Sequence, residues 1–173
     1  MLLGYEVTRF IPAIPRPIQT PLEAMVGVKI KSRSIVLVPI LRAGLGFLEG
    51  MRTLIPFADV GHIGLYRDEK TRRPVSYYVR LPKVSNQRFI ILDPMMATGN
   101  SACAAISMLL DRGVPRRNII FMALVVAPEG VRRFNKNFSD IPIIAACLDR
   151  CLDKRAYIRP GLGDAGDRLF GTP

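Results

Sequence analysis

The segment Asp93-Pro-Met-Met-Ala-Thr-Gly-Asn-Ser101 follows a short apolar run and precedes a stretch of small and apolar residues. That order reads as strand end, loop and helix start, and in an open α/β sheet ligands bind beyond the carboxyl ends of strands. A helix start at that place offers unpaired N–H groups and a positive dipole end to a phosphate. The hydroxyls and amides of Thr98, Gly99, Asn100 and Ser101 can wrap a monophosphate without a lysine, and Asp93 can accept hydrogen bonds from sugar hydroxyls. No Gly-Lys-Ser or Gly-Lys-Thr follows, so a Walker A loop is excluded. The same residue types also serve as a plain Asp turn and a Ser or Thr helix cap.

Arg42, in Pro39-Ile-Leu-Arg-Ala-Gly44, stands just past another strand end, where a guanidinium fork suits phosphate. Gly44 and Gly46 beside it allow backbone to approach a ligand. Arg67 opens the charged stretch Arg67-Asp-Glu-Lys-Thr-Arg-Arg-Pro74, from which a mobile arginine could close over a pyrophosphate. Arg72, Arg73 and Arg80 read as solvated. His62 lies within an apolar strand and reads as core, as do the methionines, Met95 and Met96 included. Cys103, Cys147 and Cys151 form an odd set that reads as reduced thiols. One Cys-x3-Cys pair and a remote histidine do not supply the roughly four ligands of a structural zinc site.

The elements that must position these residues follow from hydrophobic patterning. Residues 34–39 are a β-branched run suited to a sheet buried on both faces. Residues 47–55 have helical spacing and stop at Pro56, and 60–66 alternate like a strand. Residues 67–81 form a hairpin-like flap around the charged stretch. Residues 88–93 are a buried strand, 101–112 a helix closed by Gly113, 118–127 a third apolar run, 129–138 a helix and 141–147 a fourth strand. Alternating strands and helices imply an α/β fold with a parallel sheet. Residues 1–33, punctuated by Pro12, Pro15, Pro17 and Pro21, read as an extended, irregular arm. Residues 157–167 are too Gly-rich for an element interior and read as a shaped loop.

The chain has 173 residues, 49% of them hydrophobic and 23% charged, enough for one domain with a sizeable core. With 25 Lys plus Arg against 14 Asp plus Glu, the formal charge is +11, which attracts polyanions without choosing among them. The longest charge-free stretch, residues 94–110, contains Pro, Gly, Asn, Thr and Ser and does not suit a bilayer core. The first residues show no basic region followed by a long apolar one, so no secretory signal is expected and the expected location is cytoplasmic.

Five segments in order, at residues 39–46, 61–69, 93–101, 127–131 and 157–172, resemble the uracil phosphoribosyltransferase family over nearly the whole chain. The resemblance implies a type I phosphoribosyltransferase fold, a parallel sheet flanked by helices with a flexible flap and a C-terminal hood over the base at 155–173. It implies transfer of phosphoribosyl from 5-phosphoribosyl 1-pyrophosphate (PRPP) to uracil, giving UMP and pyrophosphate. Arg42, Arg67 and Asp164 would be the catalytic residues, the two arginines on the pyrophosphate. Asp93, Pro94, Met95, Met96, Ala97, Thr98, Gly99, Asn100 and Ser101 would hold the ribose and 5-phosphate, with Asp164 on the PRPP side. Ile158, Gly163, Asp164 and Ala165 would hold uracil, largely through backbone groups. Magnesium would arrive on PRPP, with no metal site of the protein's own. A homo-oligomer, dimer or higher, is expected, with GTP as an allosteric effector and neither membrane nor specific nucleic acid as partner.

Three departures from the family pattern stand out. Asn100 occupies a place usually held by a second Gly, and Asn is the next best tolerated residue where φ is positive. Arg159 replaces a usually apolar residue beside the base. The chain also begins past an N-terminal segment typical of the family. An RNA-binding pyrimidine regulator on the same fold would use the +11 charge, though a dense basic stripe and stacking aromatics are not evident. A transferase for another base is the remaining alternative, and Pro94, rather than a second acid, after Asp93 favours uracil.

Overall fold

A computed structural model describes residues 1–31, 34–68 and 74–172, and of Arg67 the backbone alone. After α1 (Leu2–Thr8) and a hairpin of β1 (Ala13–Gln19) and β2 (Ala24–Ile30), the chain forms β3 (Ile35–Leu41), α2 (Leu45–Leu54), β4 (Asp59–Val60), β5 (His62–Arg67) and β6 (Pro74–Arg80). There follow β7 (Arg88–Leu92), β8 (Met95–Met96), α3 (Asn100–Leu110), β9 (Ile119–Val126), α4 (Pro128–Phe138) and β10 (Ile143–Leu148). The last elements are β11 (Cys151–Leu152), β12 (Ile158–Arg159) and α5 (Ala165–Phe170).

The main sheet runs β10-β9-β7-β3-β5-β6, with parallel pairing throughout except between β5 and β6. Ile35, Val36, Leu37 and Val38 are all fully buried. Consecutive burial means that both faces of β3 are covered, which is why a continuous β-branched run, rather than an alternating one, forms this strand. On one face Val36, Phe89, Ile91 and Phe121 pack with Ile106 of α3 and Phe134 of α4. On the other, Ile35, Leu37, Ile90 and Met122 pack with Val7 of α1 and Met51 of α2. Each such side chain contributes roughly 1.5–3 kcal/mol by leaving water.

From β3 the chain moves to β5 on one side, and from β7 to β9 on the other. The strand order therefore reverses between β3 and β7. The loops leaving these two strands, which carry Arg42 and Asp93, flank the crevice where such sheets bind ligands.

Two expectations are corrected. The first thirty residues are not irregular: α1 and a hairpin with seven paired positions occupy them. Apolar periodicity marks burial, and every residue of β1 is exposed, so the pattern had no burial to report. Pro15 and Pro17 fit because they share one parity, leaving Ile14, Arg16 and Ile18 to donate to β2. Residues 165–167 are not loop but the first turn of α5, capped where Asp164 Oδ1 accepts the Asp167 N–H at 3.0 Å.

Candidate active site

The candidate phosphate loop, residues 93–101, is anchored to the sheet by its first residues. The Asp93 N–H donates to the Met122 carbonyl at 3.1 Å, and the Pro94 carbonyl accepts from Leu124 and Val125 at 3.0 Å each. Met95 and Met96 pair with Val125 and Val126 as a short extension of the sheet. Asp93 Oδ1 accepts the Met95 N–H at 3.3 Å, so the Asp turn exists. The helix cap does not: Gly99 is the N-cap, and no side chain caps α3. The hydroxyls of Thr98 and Ser101 are thus not consumed by the helix start. Gly99 adopts φ 77°, and a Cβ there would stand 2.8 Å from the Gly130 carbonyl oxygen. Asn100 is the first helical residue, so the left-handed position is Gly99 and the departure at Asn100 carries no backbone strain.

A cavity of about 80 Å³ lies in this loop, lined by Asp93, Met95, Met96, Ala97 and the residues through Ser101. It has several times the room a single water needs. Pro94 instead lines an apolar pocket with Leu124 and Leu162.

The candidate base loop, residues 153–165, is held by carboxylates. Asp149 Oδ2 accepts the Gly161 N–H at 2.9 Å. Asp153 Oδ1 accepts from the Arg155 and Tyr157 N–H groups, each at 2.9 Å, and its Oδ2 takes Nε and Nη2 of Arg159 at 2.9 and 2.5 Å. The Tyr157 N–H, with help from Arg159, keeps the Asp153 carboxyl below its ordinary range. The charge of Arg159 is thereby committed to Asp153, and Arg159 does not line the cavity below this loop. Ile158 is buried and pairs with Leu152, yet it still lines the cavity below this loop.

Both loops open onto one cavity of about 550 Å³, where Asp93, Met95 and Ala97 meet Ile158, Gly163, Asp164 and Ala165. Burial pushes the Asp93 carboxyl up to about 7, against the Met95 N–H and with the Asp164 charge adding to the rise. Asp164 spans two tasks, capping α5 and facing Asp93. Ala43 lines this cavity, whereas the guanidinium of Arg42 is held at the C-terminal helix by Asp167 and Thr172, 3.2 Å from each. Gly44 and Gly46 give room to neighbouring protein rather than to a ligand: Cβ atoms there would meet the Leu92 carbonyl oxygen at 2.4 Å and Leu169 at 2.9 Å. Arg67 ends β5, and its side chain lies outside the described residues, as do Arg72, Arg73 and the centre of the flap.

Sequence reasoning missed Asp149, Asp153 and Asp167, which hold the site residues without facing the cavity. Only the Asp164-x-x-Asp167 spacing carried a local signal, that of a capped helix start. Among the described residues no cluster of three or more His, Cys, Asp or Glu could hold a metal ion, and no helix is long and apolar enough to cross a membrane.

Comparison with known proteins identifies the family and the fold. The family model for uracil phosphoribosyltransferase matches residues 1–172. The uracil phosphoribosyltransferase of Ralstonia pickettii is 52% identical over 172 residues, 99% of this chain and 79% of that protein. That of Bacillus velezensis is also 52% identical, covering 99% and 81%. The solved AQ2163 protein of Aquifex aeolicus superposes with a TM-score of 0.90 at 37% identity, over 98% of this chain and 80% of that one. A hypoxanthine-guanine phosphoribosyltransferase of Bacillus anthracis shares the fold alone, with a TM-score of 0.60 at 12% identity over 88% and 75%. The sheet with its reversal at β3 and β7 is thus that of a type I phosphoribosyltransferase, and the chain belongs to the uracil phosphoribosyltransferase family.

Proposed function

We propose that uracil and PRPP meet in the 550 Å³ cavity, with the phosphate loop and the base loop dividing the two substrates between them. The reaction is the pyrimidine-salvage transfer of phosphoribosyl from PRPP to uracil, giving UMP and pyrophosphate. The observation that carries the division of labour is that a single cavity is bounded by both loops.

In this reading the amides and hydroxyls of residues 98–101 wrap the 5-phosphate and Asp93 accepts from the ribose hydroxyls. Arg42 and Arg67 hold the pyrophosphate. The backbone of Ile158, Gly163 and Ala165 reads uracil. Magnesium enters as part of the substrate, and the Asp93 and Asp164 carboxylates are oxygen donors suited to a hydrated hard cation. Departure of pyrophosphate leaves positive charge on the sugar and negative charge on the leaving group, so catalysis rests on positioning and electrostatics. The carboxylates flank the first, the arginines the second, and uracil N1 bonds to ribose C1 from the face opposite pyrophosphate, releasing its proton to solvent as the C1–O bond to pyrophosphate breaks.

The protein acts in the cytoplasm as a homo-oligomer in the same proposal. Its three cysteines are free thiols, as a reducing compartment requires. The register puts Pro15, Pro17, Val26, Val28 and Ile30 on one face of the hairpin, with Val26 66% and Val28 80% exposed. An isolated two-stranded ribbon is marginally stable, and that face carries no charge, so a second copy of the same face suits it. Val28→Asp should then reduce the sedimentation mass, and an unchanged mass would remove the hairpin from the interface.

Calorimetric titration with Mg-PRPP tests the phosphate loop. Asp93→Ala should weaken binding about tenfold or more, since it removes acceptors for ribose hydroxyls. Unchanged affinity would take the loop out of the site.

A further inference from the structure

The first turn of α4 touches both substrate loops. On one side the Ala127 N–H donates to the Met96 carbonyl at 2.9 Å, and a Cβ on Gly130 would stand 2.5 Å from the Ala97 carbonyl oxygen. On the other side Glu129 Oε1 accepts the Leu152 N–H at 3.1 Å. Leu152 pairs in register with Ile158, at the foot of the base loop. Glu129 Oε2 is enclosed and has no partner among the described residues.

An acidic residue in the first turn of a helix is ordinarily explained by the helix dipole, a role a hydrated carboxylate fulfils. Glu129 departs from that pattern by enclosing one oxygen without a partner, which is costly, and committing the other to a backbone N–H of a different element. The Leu152 N–H and the residue's own N–H hold this carboxyl below its ordinary range, as expected of a carboxylate kept as an acceptor.

We infer that Glu129 is a positioning residue for uracil: by fixing β11 to the helix that backs the phosphate loop, it sets where the base-reading backbone stands relative to the ribose. This rests on the loop assignments made above. The carboxylate touches neither substrate and acts through Leu152 and Ile158. Gly130, the next residue, serves the other loop by leaving room for the Ala97 carbonyl.

Two variants separate reach from charge. Glu129→Gln keeps an acceptor at the same reach and loses the charge. Glu129→Asp keeps the charge at the helix start but falls one methylene short of Leu152. In steady-state assays of the full chain, Glu129→Asp should raise the uracil KM about tenfold with the PRPP KM within about twofold, while Glu129→Gln stays within about threefold of wild type for both. Gly130→Ala should show the opposite split. Overturning results are the reverse order, with Gln impaired and Asp normal, or a parallel rise of both KM values with a lowered melting temperature. Failure of the loop assignments would look different: a Thr98→Ala variant with an unchanged PRPP KM would overturn the reading on which the inference stands.

Discussion

The Arg42 guanidinium and the Asp167 carboxylate, 125 residues apart in the chain, meet at 3.2 Å and join the loop after β3 to the C-terminal helix. Thr172 Oγ1 accepts a second bond from Arg42, and the Phe170 ring lies beneath the guanidinium, 5.9 Å away. A half-exposed pair of this kind contributes about 0–1 kcal/mol to stability, so its interest lies in orientation. Arg42→Lys keeps the charge and loses the planar fork. Its kcat/KM for PRPP should fall about tenfold or more with the melting temperature nearly unchanged. Pyrophosphate release measured on both proteins checks this, and wild-type turnover in the lysine variant would contradict the role assigned to Arg42.

Asp93 gives the protein a pH signature. Its carboxyl is raised from 3.8 to about 7 by burial, so between those values the folded chain holds a proton that the unfolded chain has lost. Stability from this group is therefore greatest at low pH and falls as pH rises through that window. In the proposed site ribose hydroxyls donate to the ionised form, so PRPP affinity should rise with pH up to about 7 and then level off. Asp93→Asn should flatten both dependences. Melting curves and titrations at pH 5, 6, 7 and 8 test this, and equal slopes in the two proteins would refute it.

Ala156 is the one non-glycine with positive φ among the described residues, at 66° in the turn that leads to Tyr157. Left-handed backbone costs an alanine about 1–2 kcal/mol, part of which glycine returns through its freer unfolded chain. Ala156→Gly should stabilise the protein by about 0.5–1 kcal/mol. A urea midpoint shifted upward at constant slope would show it, and a lowered midpoint would argue against strain at this residue.

The sheet was legible because β3, β7 and β9 are continuous apolar runs, the pattern that burial on both faces demands. The loop at residues 93–101 was legible as strand end, turn and helix start because its residues are contiguous and follow a strand end. The hairpin was not, since its exposed strands carry no burial periodicity. Nor were the pairs Asp149 with Gly161, Glu129 with Leu152 and Arg42 with Asp167, whose partners come together only once the sheet brings distant loops to one edge. Asp164 shows the limit from the other side: its spacing to Asp167 carried the signal of a capped helix start, while its place beside Asp93 in one cavity needed the two loops to be brought together.

Base choice bears most directly on the claim that backbone groups of Ile158, Gly163 and Ala165 read uracil. Uracil offers an acceptor at O4 and a donor at N3, and cytosine offers the reverse, so backbone set for one leaves two buried groups unpaired with the other. At roughly 1–3 kcal/mol for each of the two unpaired groups, uracil should outrun cytosine by about thirtyfold or more. Initial rates of pyrophosphate release from Mg-PRPP with uracil, cytosine and hypoxanthine decide the matter. A strong preference for uracil is expected, and equal or faster turnover of either competitor would contradict the claim.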